Sequence, residues 1–110
     1  MIVCISTYAR ALTPDDKPLL AEHFAFMDQQ YRHGLLVASG PREPRCGGVI
    51  IARGDDLAAV ERMLASEPLA RERLATYILF VFRATRGASR ELCEESFDHA
   101  GPAQEDRCAS

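Results

Sequence analysis

No stretch of this chain reaches the ~18 consecutive apolar residues that a bilayer-spanning helix needs. The N-terminus also lacks a basic region followed by an apolar stretch, so no export signal is read and the cytoplasm is the expected location. Four cysteines are present, Cys4, Cys46, Cys93 and Cys108, yet no two form a CxxC pair or another metal-ligand spacing. In a reducing compartment they are expected to be free thiols. Zinc held through Cys93, His99 and Cys108 would need irregular spacings on a weakly patterned segment. No basic patch interleaved with aromatics occurs, which argues against a nucleic-acid partner. No repeat of solenoid period is present either.

What remains is a chain of 110 residues that is 47% hydrophobic, enough for one domain with a single core and no metal or disulfide staple. Charge divides it. Residues 1–85 carry 10 Lys+Arg and 10 Asp+Glu, whereas residues 86–110 carry 3 and 6, a net of −3. The expected organisation is a folded unit over residues 1–85 and an acidic, flexible tail over residues 86–110. A turn or two of helix over residues 90–97 would let Leu92 and Phe97 touch the body.

Hydrophobic patterning gives the order of elements. Residues 2–8 read as a strand. Thr13-Pro14-Asp15-Asp16 reads as a helix start, but Pro18 cannot donate the hydrogen bond that a helix begun at Pro14 requires. A short turn and then a main helix from Pro18 follow, with Gly34 as the stop. Strands are expected over residues 35–39 and 49–53, joined as an antiparallel hairpin because the intervening segment is too short for a crossover helix. Asp55 is expected to cap a second helix with Leu57, Val60 and Leu64 inward. Pro68 ends that helix, a short turn carries Leu69 to Leu74, and a last strand covers residues 76–83. This order predicts an α+β, ferredoxin-like βαββαβ fold with a four-stranded antiparallel sheet. The last strand, Tyr77-Ile78-Leu79-Phe80-Val81-Phe82, is apolar on both faces, unlike a sheet with one wet face. Pairing of two sheets in a homodimer would cover the second face.

One residue stands out on the first helix. With Leu19 at zero and about 100° per residue, Leu19, Leu20, Phe24, Met27 and Tyr31 share an arc of about 140°. His23 lies inside it, aiming a side chain that titrates near neutral pH at the interior. Position alone favours a core histidine bonded to a backbone carbonyl; a general acid or base lining a cavity is the other reading. Ser39, Gly40, Pro41 and Arg42 form a candidate binding segment: glycine admits a ligand close to backbone, serine offers a hydroxyl, and Arg42 can hold an oxyanion. A hairpin turn explains most of the same residues. Glu67, before Pro68, is a solvated surface acid on one reading. On another it is the carboxylate that supports an imidazole, since Ser66 is the better N-cap by type.

Together these segments resemble the YciI-like (YCII-related domain) family. They are the opening strand, Glu22-His23-Phe24-Ala25-Phe26-Met27, Ala38-Ser39-Gly40-Pro41-Arg42, Gly47-Gly48-Val49-Ile50 and Glu67-Pro68-Leu69. The resemblance covers residues 1–85. It implies a dimeric α+β barrel and a pocket built around a His and an Asp, with no metal or organic cofactor. His23 would be that histidine, with Ser39, Gly40 and Pro41 the pocket wall. The family has Asp-Pro-Phe where this chain has Glu67-Pro68-Leu69. The carboxylate is one methylene longer here, and one pocket wall is changed.

The function so implied is a cofactor-independent lyase or isomerase acting on a small polar or cyclic metabolite. His23 and Glu67 would move the proton, and Ser39, Gly40, Pro41 and Arg42 would bind the substrate. A non-catalytic small-molecule binding module is the alternative, and an accessory role through the acidic tail is a third. Removing residues 86–110 is expected to leave the melting temperature nearly unchanged. A loss above ~2 kcal/mol would mean that the tail contributes buried apolar surface to the fold.

Overall fold

Alternation decides the first strand, β1 (Ile2–Tyr8): Ile2 and Cys4 are fully buried, while Val3 and Ile5 between them are half-buried. The computed structural model describes residues 1–93. Phe97, His99 and Cys108 lie outside the described residues, as does most of the acidic segment. Four strands form one antiparallel sheet in the order β2-β3-β1-β4, with β2 at Leu36–Pro41, β3 at Gly48–Ala52 and β4 at Ala75–Val81. This is the ferredoxin-like arrangement. The main helices, α1 (Lys17–Arg32) and α2 (Leu57–Ala65), are joined by a four-residue helix, α3 (Pro68–Arg71).

The start of α1 follows from Pro18. A 3-10 turn at Pro14–Asp16 precedes the helix, and Pro18 occupies its first turn, where its missing N–H costs nothing. Asp16 fixes the turn. Its carboxylate accepts the Thr13 N–H at 2.8 Å and a two-pronged hydrogen bond from Arg10 at 2.8 and 2.9 Å. The Arg10 guanidinium, and then the Thr13 amide, hold the Asp16 carboxyl well below the usual carboxylate range. Gly34, at φ 77°, stops the helix, and the Leu35 N–H returns to the Gln30 carbonyl at 3.1 Å.

Three local expectations need correction. Asp56, not Asp55, caps α2, accepting the Ala59 N–H at 3.0 Å. The segment after Pro68 is helical rather than only a turn. Finally, β2 runs through Gly40 and Pro41, because Gly40 pairs with Val49 and Pro41 with Gly48. The binding segment is therefore a strand edge and not a hairpin tip.

The core lies between the sheet and the two main helices: Ile2, Cys4, Leu36, Ile50 and Ala52 face Met27, Val60 and Leu64. Burial pushes the Cys4 thiol up to about 11, so it acts as a small apolar side chain. The opposite sheet face carries Val3, Ile5, Val49, Ile51, Ile78 and Phe80, as strand register requires. Among the described residues no helix covers it, and Ile78 is 71% and Phe80 48% exposed. After β4 the chain turns back. Arg90–Leu92 forms a 3-10 turn, and Arg53 donates to the Glu91 carbonyl at 3.1 Å.

The β2–β3 loop is strapped across the end of β1. Tyr8 N–H donates to the Cys46 carbonyl at 2.7 Å, and Gly48 N–H to Ser6 Oγ at 2.8 Å. This brings Gly47 so close that a Cβ there would lie 1.8 Å from the Ser6 carbonyl oxygen. Backbone must move to admit it. Gly47→Ala is accordingly expected to cost about 2 kcal/mol or more in urea unfolding, the scale of a forced overpacking. A wild-type midpoint would contradict the close approach.

Candidate active site

Polar residues replace apolar ones along the inward face of β1: Ile2 and Cys4 give way to Ser6 and Tyr8. Tyr77 pairs with Ser6 across to β4 and shares that face. The sheet therefore turns polar at one end, beneath α1, and a cavity of about 400 Å³ opens there. That volume is within the usual range for a small-molecule site.

Helix α1 is turned slightly, by much less than one residue, relative to the arc read from sequence. Phe26 packs on the core, and Phe24 leaves it, 61% exposed and lining the cavity. His23 then falls near the middle of the inward side, with its side chain 16% exposed. It faces the cavity, with Phe24 edge-on to its ring at 5.3 Å between centroids.

Glu67 is the buried counterpart, 0% exposed. It is the N-cap of α3, with an extended backbone at φ −66° and ψ 132° before Pro68. Four donors converge on its carboxylate. His23 Nδ1 meets Oε1. Leu69 N–H donates to Oε1 at 3.0 Å, Ala70 N–H to Oε2 at 3.3 Å and Tyr77 Oη–H to Oε2 at 3.1 Å. This corrects the reading of Glu67 as a surface acid and the preference for Ser66 as the cap: the carboxylate is buried, caps α3 and meets the His23 imidazole. The extra methylene relative to Asp lets one carboxylate reach the amides of its own helix and the imidazole across the cavity floor.

The electrostatics follow from those donors. Burial raises the Glu67 carboxyl, but the His23 hydrogen bond, the Leu69 amide, the His23 charge and Tyr77 together outweigh it and hold it below its ordinary value. Glu67 is therefore ionised at neutral pH and can only accept. A proton on Nδ1 of His23 therefore faces the carboxylate, and Nε2 is the ring nitrogen that Glu67 does not engage. Burial, and then the charge and hydrogen bond of Glu67, push the Tyr77 phenol far up, so it remains a donor. Burial and Glu67 also raise Tyr8, with Arg45 opposing them.

The binding segment divides. Ser39, Gly40 and Pro41 line the cavity, and Tyr31 Oη lies 2.7 Å from Ser39 Oγ, linking the end of α1 to β2. Arg42 does not join them. Its Nη1 donates to the Ser6 carbonyl at 3.2 Å and to Thr7 Oγ1 at 3.1 Å, and Thr7 lies on the sheet face away from the helices. The arginine that lines the cavity is Arg45. Arg45, Tyr8 and Tyr77 escaped the sequence reading. The two tyrosines carried a signal, namely polar side chains at inward strand positions. Among the described residues, no three His, Cys, Asp or Glu side chains are grouped to hold a metal ion, and no helix is long and apolar enough to cross a membrane.

Comparison with known proteins agrees with this fold. The architecture is similar to that of a 5-chloro-2-hydroxyhydroquinone dehydrochlorinase (TftG) from Burkholderia phenoliruptrix AC1100, solved in complex with 2,5-dihydroxybenzoquinone. The TM-score is 0.61 at 15% identity, over 76% of this chain and 95% of that one. A search of the curated proteins finds no significant match. The YCII-related domain matches residues 1–83, from the first strand through the end of the fourth, and the chain belongs to that family.

Proposed function

We propose that the chain is a cofactor-independent lyase or isomerase that moves a proton on a small polar or cyclic metabolite. The observation that carries this reading is the His23–Glu67 pair, a fully buried carboxylate holding Nδ1 of an imidazole that borders a cavity. In the mechanism, Nε2 takes a proton from carbon next to a carbonyl, and the electron pair moves into an enolate. Glu67 stabilises the imidazolium so formed without itself becoming protonated. The imidazolium then returns the proton to another atom of the substrate, or to a leaving group, and the site is restored. Ser39, Gly40 and Pro41 form the wall against which the substrate rests. A dehydrochlorinase with a small ring compound bound shares the fold, which supports elimination as the reaction type.

One observation favours a second reading. Both oxygens of Glu67 are already engaged by the cap of α3 and by Tyr77, a structural duty that needs no turnover. On that reading the cavity binds a metabolite without changing it.

Deuterium wash-in from D2O, followed by NMR over a panel of cyclic ketones and keto acids, separates the two. Proton transfer predicts enzyme-dependent exchange that falls about 100-fold or more in His23→Ala, the usual scale of general acid–base catalysis. Glu67→Gln is expected to shift the pH dependence of exchange as well as lower the rate. Equal exchange with and without His23 would contradict the proposal. Binding without exchange would support the second reading.

The homodimer belongs to the same proposal. The uncovered face with Ile78 and Phe80 is apolar over three adjacent strands, and a second copy placed face to face would bury it. Light scattering at micromolar concentration is expected to give a dimer, and Ile78→Asp to give a less stable monomer. A monomeric wild type would contradict it.

A further inference from the structure

The cavity is bordered by one basic and one acidic side chain besides His23. Arg45 lines it from the β2–β3 loop, Asp28 lines it from α1, and neither side chain has a hydrogen-bond or ion-pair partner among the described residues. The Tyr8 hydroxyl, also on the cavity, has none either. Tyr8 packs on the same small cluster, Leu69, Leu74 and Ala75, as Leu12, Leu19 and Leu20 at the first turns of α1, and its N–H bond to the Cys46 carbonyl ties the loop that carries Arg45 to it. Arg45 thus stands near the start of α1. Asp28 stands near its end, one turn before the Tyr31 that bonds Ser39. The helix rises about 12 Å between Leu20 and Asp28, so the two charges flank the cavity instead of neutralising each other. His23 lies between them.

We propose that Arg45 and Asp28 set the substrate class: a small cyclic anion whose carboxylate or enolate oxygen is held by Arg45 and the Tyr8 hydroxyl, and whose hydroxyl donates to Asp28. The guanidinium and phenol supply donors to one end of such a molecule, and the Asp28 carboxylate supplies an acceptor to the other. Arg42 does not line the cavity, and its Nη1 is bonded instead to Ser6 and Thr7. Apolar Met27, Ile50 and Leu69 leave room for a ring between the two ends. The inference rests on the reading of this cavity as the substrate site. It adds the charge and orientation of the substrate.

Binding of 4-hydroxybenzoate, benzoate and 4-hydroxybenzamide, measured by calorimetry on the full chain, tests it. The hydroxylated carboxylate is expected to bind about tenfold or more tightly than the amide, the scale of one charge-assisted contact. Arg45→Gln should bring that ratio close to one. Asp28→Asn should instead reduce the preference for 4-hydroxybenzoate over benzoate. Equal binding of acid and amide to the wild type, or an acid preference that survives Arg45→Gln, would overturn the proposal. So would loss of the preference in Arg42→Gln but not in Arg45→Gln. Failure to bind any of the three probes also counts against it. The ratio is read in binding alone, so its failure leaves proton transfer at His23 standing. Failure of proton transfer leaves the ratio measurable.

Discussion

Taking a carboxylate out of water costs several kcal/mol unless its oxygens are met by donors. Glu67 is buried completely, and four donors from three elements meet it. Those donors are the imidazole of α1, two amides of α3 and the phenol of β4. None of these elements could shift by an ångström without stranding a charge. The carboxylate therefore fixes where α1 crosses the sheet, where α3 begins and how far Tyr77 reaches. In doing so it also holds Nδ1 of His23, whose ring borders the cavity.

The same sheet has two different jobs on its two faces. Toward the helices it is apolar along most of its length and polar at one end, where Ser6, Tyr8 and Tyr77 replace aliphatic residues. Core packing and site construction thus share one surface without a separate loop-built pocket. The other face is apolar and, among the described residues, not covered by a helix, with Ile78 on the edge strand β4 its most exposed large side chain. The tight strap at Gly47, pressed against the Ser6 carbonyl, holds the β2–β3 loop over the polar end. It also delivers Arg45 to the cavity, and the separation of Arg45 from Asp28 gives that cavity a direction.

Much of this was legible in the residues. Strand alternation, the breaks at Pro18, Gly34 and Pro68, and the short loop between the middle strands suffice for the ferredoxin-like order. A histidine within an apolar arc marked the helix face that meets the cavity. Other features were not legible, for physical reasons. The choice of Asp56 over Asp55 as cap depends on one residue of helix phase. Glu67 is a weak cap by type, and only the tertiary contacts from His23 and Tyr77 make its burial stable. Arg42 and Arg45 are three residues apart in one loop, and their separation depends on how the chain folds around Gly47. Phe24 and Phe26 exchanged places because a small roll of α1 lets His23 reach the carboxylate.

The central claim is that ionised Glu67 organises the site, and acid sensitivity tests it most directly. Folding holds this carboxyl below its ordinary value. The stability it adds is therefore complete above the ordinary glutamate pKa of about 4 and is lost as pH falls through the lower folded value. Urea unfolding of the wild type and Glu67→Gln between pH 7 and pH 2 compares the two directly. At pH 7 the variant is expected to be less stable by about 3 kcal/mol, the scale of breaking a buried, hydrogen-bonded charge pair. The gap should close in acid as the wild-type carboxyl takes up its proton. A gap that stays the same from pH 7 to pH 2, or no gap at pH 7, would contradict the account.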